Sequence, residues 1–254
     1  MSRQDDVNIL YQKSKWLNSI ALGLYIGNCC VLLLDYFFPA CNHICFWLQL
    51  LLVILFLGVS LTHDCHYRYE ADKERCNAKV EDAFGIDLTE YKTAGYYNNN
   101  VPPSLCRYIM NSFESVLFTK SIVGKMLPRV LFKAFIVGII FLLSLRIADN
   151  NLLLLILEIV TSAYLFQGII MTIFFYSKVK AIYLDLYQLL ITEKTIQREQ
   201  LILAFSAAQE YEVCKAYFKV APDSKLFDKL NPELSEQWEK MAAKISFPEN
   251  IPTL

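Results

Sequence analysis

Residues 127–176 read LPRVLFKAFIVGIIFLLSLRIADNNLLLLILEIVTSAYLFQGIIMTIFFY, two apolar runs interrupted only by Arg146-Ile147-Ala148-Asp149-Asn150-Asn151. Each run is about 20 residues, and a helix rises about 1.5 Å per residue, so each is long enough for a hydrocarbon core of about 30 Å. A six-residue polar link between two such helices predicts a hairpin that crosses a bilayer and returns. A second pair of the same form lies upstream. It runs from Trp16 to about Phe38 and from about Ile44 to Thr62, with Pro39-Ala40-Cys41-Asn42-His43 between. The prediction is an all-α integral membrane protein with four transmembrane helices as two hairpins. The segments expected are an N-terminal stretch 1–15, hairpins 16–62 and 127–176, a helical insert 63–126 and a helical tail 177–254.

Working outward, the composition fits this segregation. The chain has 254 residues, of which 55% are hydrophobic and 19% charged, so the charge is confined to some segments and nearly absent from others. The net charge of −1 offers no basic excess for a nucleic-acid polymer, and none is expected as a partner. Of the 24 Lys and Arg, three precede Trp16, ten lie between Leu61 and Lys133 and ten follow Tyr176, whereas the two short turns hold only Arg146. Basic residues stay on the cytoplasmic side, so both termini and the insert are expected there. The first apolar run is longer than a signal-peptide core and is followed by no small-x-small cleavage site, so it reads as retained.

In the insert, His63 to about Phe84 has helical periodicity that continues the second span, and Gly85 is placed to end it. The turn-rich Thr93–Pro103 follows, and Ser104–Met126 reads as an amphipathic helix leading into the third span. Beyond Tyr176 the periodicity carries on to about Val220, Pro222 breaks it, and Asn231-Pro232-Glu233 reads as the start of a last helix. The tail from Phe247 to Pro252 reads as extended. The eight cysteines form no disulfide framework. His63, Cys65, His66 and Cys76 sit on one helix with the last ten positions from Cys76's nearest candidate partner, so no metal site is expected.

Three groups of residues are candidates for function. Glu158, Thr161, Ser162 and Thr172 share one side of the fourth apolar run; an ionisable group there must face protein or water, either lining a pore or joining helices. Lys125, Arg129 and Lys133 recur every four residues at the start of the third run, placed to meet lipid headgroups or the phosphates of a ligand. Tyr96, Tyr97, Asn98, Asn99 and Asn100, with Arg107 nearby, combine rings that stack on bases with amides that read base edges; the same residues also suit an ordinary inter-helix turn. No GxSxG, P-loop, HExxH or GxGxxG is present; no catalytic residue is assigned, no enzyme is expected and no cofactor is implied.

Three local stretches carry a resemblance: Arg3-Gln4-Asp5 ahead of Tyr11 and Lys13, Ala78–Leu88 (AKVEDAFGIDL), and Gly95–Pro103 (GYYNNNVPP). With the two hairpins, these resemble the four-transmembrane effectors associated with bacterial nucleotidyltransferases of cyclic-oligonucleotide antiphage systems (CBASS). The family's Phe-Asp is Glu81-Asp82 here, and its Trp-Asn is Thr89-Glu90. The resemblance implies a bacterial inner-membrane, homo-oligomeric effector that a cyclic di- or trinucleotide activates to permeabilise the bilayer, causing abortive infection. It also implies the Tyr96–Asn100 loop with Arg107 as the ligand surface. A constitutive channel or transporter, a membrane scaffold for a soluble partner, and an integral-membrane enzyme are the competing readings.

Overall fold

Helix α1 (Asn8–Phe37) ends where Phe38 and a 3₁₀ turn at Pro39–Cys41 reverse the chain into α2 (Asn42–Thr62). A computed structural model describes residues 4–147, 152–192 and 196–247. After α2 comes a single π-helical segment, His63–Tyr67, which passes without a break into α3 (Arg68–Phe84). Gly85 ends α3 with φ +69°, a left-handed conformation that costs glycine little, and its N–H bonds Glu81 O at 2.8 Å. The remaining helices are α4 (Leu105–Ile147), α5 (Leu152–Tyr187), a second π segment (Gln188–Thr192), α6 (Arg198–Phe218) and α7 (Ser224–Ala242). Two short strands, β1 (Gln4–Asp5) and β2 (Thr93–Ala94), pair antiparallel with Gln4 opposite Ala94. The described residues are therefore all-α apart from that bridge, and among them three helical runs, Asn8–Phe37, Pro39–Phe84 and Leu105–Leu143, are long and apolar enough to cross a membrane. The expected fourth, in α5, is not among them within the described residues.

The residues group into two compact units. The first comprises 1–8, 72–127 and 171–254. The start of α4 is its central rod: Tyr108 to Glu114 are buried without interruption. This corrects the amphipathic reading of 104–126. Asn111, Ser112 and Glu114 look like a polar face in sequence, yet each is buried and hydrogen-bonded inside. Around the rod pack Phe175, Val179, Ile182 and Leu186 of α5, Ala204 and Tyr211 of α6, and Leu230, Leu234 and Trp238 of α7. Burying each of the larger side chains contributes about 1.5–3 kcal/mol.

Two further corrections concern the tail. The helix expected to run to Val220 ends as a π segment at Thr192, and α6 starts afresh after Gln197. There the Gln197 N–H donates to Gln200 Oε1 at 2.7 Å in a capping box. The last helix starts at Asp223, whose carboxylate accepts from Lys225 N (2.8 Å) and Leu226 N (3.1 Å), so Asn231 is no cap and Pro232 lies inside α7. An internal proline costs about 3 kcal/mol. The stripe Leu230, Leu234, Trp238 and Met241, all buried, outweighs that cost. The expected extended tail falls largely on 248–254, outside the described residues.

The second unit comprises 9–71 and 128–170. Its surface is apolar where that of a water-soluble hairpin is polar, and its interior, though mostly apolar (Ala21, Val31, Leu32, Val53, Phe56), also takes in polar groups. Leu22, Ile26, Leu33, Leu51, Ile54 and Phe135 are exposed, whereas Ser14, Asn28, Gln49 and Ser60 are buried. Phe141 and Phe166 meet edge to face at 6.5 Å, joining the α4 and α5 portions of this unit.

Candidate functional site

Arg75, Lys79 and Asp82 stand at i, i+4 and i+7 on one side of α3, the spacing that puts three side chains over one another. Each meets a different part of the first unit. Arg75 donates from Nη2 to both carboxylate oxygens of Asp5 on β1, at 2.8 and 3.0 Å. Its guanidinium lies 4.4 Å from the centre of the Tyr96 ring, in cation–π range, and Tyr96 meets Tyr97 edge to face at 4.9 Å. Lys79, fully buried, donates to Ser112 Oγ at 3.2 Å and pairs with Glu212 of α6. Lys215 closes on the same carboxylate at 2.7 Å. The rings of Tyr108 and Tyr211 flank Lys79 at 5.2 and 5.5 Å. Tyr211 in turn shares a 2.7 Å hydrogen bond with Thr119.

Three cations thus face two carboxylates amid four tyrosines. Burial pushes the Lys79 ammonium down, against the pull of Glu212. Burial alone would raise the Glu212 carboxyl, but Lys215 and Lys79 outweigh it and hold it at about 2. Burial pushes the Tyr97 and Tyr108 phenols up and brings Tyr211 to about 12, so these phenols stay neutral at physiological pH.

The Gly95–Pro103 loop is ordered by its own polar groups. Gly95 takes φ +64° where the chain leaves β2. Asn98 donates from its backbone N–H (2.9 Å) and its amide (2.8 Å) to Glu114, and its carbonyl accepts from Trp238 Nε1 at 2.8 Å. Asn99 donates to Asn111 Oδ1 at 2.5 Å. Asn100 is exposed. Arg107 is held by Asp82 through two hydrogen bonds of 3.1 and 2.8 Å, and Asn111 donates to the same carboxylate at 2.7 Å. Of the six expected ligand residues, then, Tyr96 and Tyr97 join the cationic cluster, Asn98, Asn99 and Arg107 spend polar atoms on the fold, and Asn100 faces solvent. An open cleft of about 310 Å³ lies beside Arg107, but Glu81, Asp82 and Asp87 line it, which disfavours an anion there.

The three stretches that carry the resemblance meet in this unit: Asp5 of the first, Lys79 and Asp82 of the second, Tyr96 and Asn98 of the third. Reading the sequence missed Asp5, Arg75, Lys79, Glu212 and Lys215. The one available signal was the i, i+4, i+7 repeat of Arg75, Lys79 and Asp82 along a stripe otherwise marked by Cys76, Val80 and Ala83.

The other candidates fall elsewhere. Lys125, Arg129 and Lys133 are all exposed on α4. Ser162 and Thr172 are buried on α5, and Ser162 Oγ meets no hydrogen-bond partner among the described residues. The side chains of Glu158 and Thr161 lie outside the described residues. None of the eight cysteines is in a disulfide. His63, weighed as a metal ligand, instead hydrogen-bonds Ser14 Oγ through Nε2 (2.9 Å) and Asp64 Oδ1 through Nδ1 (2.8 Å). In the same unit Gln49 Nε2, Ser60 Oγ and Asp35 Oδ1 also meet no hydrogen-bond partner among the described residues, and such a group costs about 1–3 kcal/mol when buried. No protein family, curated protein or solved structure matches the chain.

Proposed function

We propose that the chain is an antiphage effector of the bacterial inner membrane, with four spans as two hairpins and both termini cytoplasmic. On this reading a cyclic di- or trinucleotide binds the first unit and drives a homo-oligomeric rearrangement that permeabilises the bilayer. The observation that carries it is Arg75 stacked on Tyr96 while gripping Asp5. A guanidinium over an aromatic ring is suited to a phosphate and a base together, and the Asp5 carboxylate occupies the position a phosphate would take. Lys79 and Lys215 add positive potential behind the pair. The apolar surface of the second unit and the placing of every Lys and Arg but Arg146 outside the two short turns support the membrane placement.

This geometry suggests how binding reaches the membrane. Asp5 lies on β1, and α1 begins three residues later at Asn8. A nucleotide phosphate that takes Arg75 from Asp5 frees β1 from β2 and with it the lead into the first span. The ligand shifts the equilibrium only as far as it prefers the released state, and a preference of about 10⁴-fold carries a 1:99 mixture to 99:1.

The test is dye release from liposomes carrying the full chain, with and without a panel of cyclic di- and trinucleotides, insertion being verified by protease protection. Release triggered by one nucleotide, abolished in Arg75→Met and in Tyr96→Ala/Tyr97→Ala, supports the reading. Asp5→Asn is expected to lower the half-maximal nucleotide concentration about tenfold, because the competing carboxylate is gone. Release independent of nucleotide would replace it with a constitutive channel. No release under any condition, with insertion intact, would replace it with a scaffold.

A further inference from the structure

A chain of buried polar groups runs the length of the first hairpin, on the faces where α1 and α2 meet. Its register is fixed at three points. Ala21 and Tyr25 pack on Phe56, Gly27 lies beside Leu52, and Ser14 bonds His63. With the helices antiparallel, this sets Ser60 about level with Ser19, Gln49 with Cys30 and Cys45 with Leu34; Asp35 and Cys45 are within electrostatic reach of each other. Read from the turn downwards, the polar groups are Asp35, Gln49, Asn28, Tyr25, Ser60 and then His63, which is held between Ser14 and Asp64. Gln49 and Ser60 are each only 3% exposed. From Asp35 to Ser14 the helix rises about 31 Å, which matches a hydrocarbon core of about 30 Å. Successive levels between Asp35 and Ser60 are about 3–9 Å apart, spans that a direct contact or one or two waters bridge, and the step from Ser60 to Ser14 is about 7.5 Å, most of it bridged by the His63 ring.

We propose that this file is a proton path through the first hairpin. Both ends are ionisable, Asp35 at one and His63 with Asp64 at the other, and the groups between are neutral hydroxyls and amides. This is the arrangement expected where protons are relayed across a membrane. The buried Gln49 Nε2 and Ser60 Oγ atoms, which meet no hydrogen-bond partner among the described residues, are suited to holding water. Phe56 and Val53, both buried, pack between the levels, so the file suits hydrogen-bonded protons and not hydrated ions. In the transfer, Asp35 takes a proton from the outer side. Each hydroxyl or water in turn accepts one proton and gives up another, and His63 releases one on the inner side. Only O–H and N–H bonds form and break, one proton leaves for each that enters, and membrane potential or a pH difference drives it. Asn28 and Gln49 hold the waters and exchange no proton. The path rests on the membrane reading of the second unit and is independent of nucleotide.

The test uses the full chain in liposomes loaded with potassium and the pH-sensitive dye pyranine. Valinomycin imposes the potential, and no nucleotide is added. Vesicles with the wild-type chain are expected to change internal pH at least tenfold faster than empty vesicles. Gln49→Leu and Asp35→Asn are expected to return the rate at least tenfold towards the empty value. The lipid-facing Ile54→Leu is expected to keep the wild-type rate. Protease protection on the same vesicles reports insertion of each variant. Flux equal to empty vesicles with insertion intact overturns the path, as does equal flux in the wild type and both file variants. Failure to insert overturns the membrane reading and the path with it. The nucleotide reading fails on a different readout, trapped dye in the presence of every cyclic nucleotide, which proton flux does not affect.

Discussion

Glu212→Gln removes the carboxylate shared by Lys79 and Lys215 while keeping its shape. Lys79 is 1% exposed and Glu212 13%, so the substitution leaves a buried ammonium facing Ser112 and two rings with no counter-charge. Breaking a buried pair from one side costs about 3–5 kcal/mol. Lys79→Met is expected to behave differently, because Lys215 still neutralises Glu212 at 2.7 Å and an apolar side chain suits the site. That change should cost under about 1 kcal/mol. For a unit of this size each kcal/mol moves the unfolding midpoint by about 2–4 °C, so Glu212→Gln should lower it by about 6–20 °C. The double variant should return close to Lys79→Met alone. Trp238 lies in the same unit, and with Trp16 and Trp47 replaced by Phe its fluorescence in detergent-solubilised protein reports that unit specifically. A Glu212→Gln midpoint no lower than that of Lys79→Met would refute the reasoning. The acid limb gives a second check. The Glu212 carboxyl is held at about 2 in the fold against a usual 4.5. Its contribution is therefore present above pH 4.5 and lost as pH falls from 4.5 towards 2. The difference corresponds to about 3 kcal/mol, part of which the buried Lys79 offsets. Glu212→Gln should flatten the midpoint-against-pH curve in that window.

Asp223→Ala should cost about 1 kcal/mol, or about 2–4 °C, through loss of the α7 cap, while Asn231→Ala should change the same midpoint by less than half of that; equal effects would return the helix start to Asn231. Trp238→Phe keeps most of the ring contact with Phe113 but leaves the Asn98 carbonyl without its donor. Amide exchange of the 95–101 backbone should quicken at least tenfold, measured by mass spectrometry, and unchanged exchange would show that Glu114 alone holds the loop. Glu114→Gln is expected to loosen the same loop further, because it weakens both Asn98 contacts at once.

What was legible in the sequence was local. The apolar runs announced themselves by length alone, and Gly85 ends α3 as its lack of a Cβ suggested. The turns of the tail were harder. The Asn-Pro-Glu at 231–233 is a better cap by composition than Asp223, and only the burial of Leu230 and Trp238 on either side of Pro232 explains why the helix runs through it. The amphipathic pattern of 104–126 misled because Asn111, Ser112 and Glu114 spend their polarity inside the unit, on partners 12 to 33 positions away. The candidate site was half visible. Tyr96 and Tyr97 were named from their neighbours in sequence. Asp5, Arg75 and Glu212 meet them only through a strand pair and a helix packing that join residues 70 to 133 positions apart, and no local pattern encodes that.

The π segment between α2 and α3 has a bearing on how relatives of this chain would be aligned. Each of His63–Tyr67 and Gln188–Thr192 is a turn holding one residue more than an α-turn. In an α-helix one residue is about 100° of rotation, so the helix that continues beyond His63–Tyr67 is out of phase with the helix before it by that angle. A homologue whose helix passes the same place in plain α geometry should align with a one-residue gap inside 63–67, although nothing in the spatial path of the chain is missing. Matching such chains without that gap would carry every side chain downstream to the wrong face, and the Arg75–Lys79–Asp82 row would be the first to lose its counterpart.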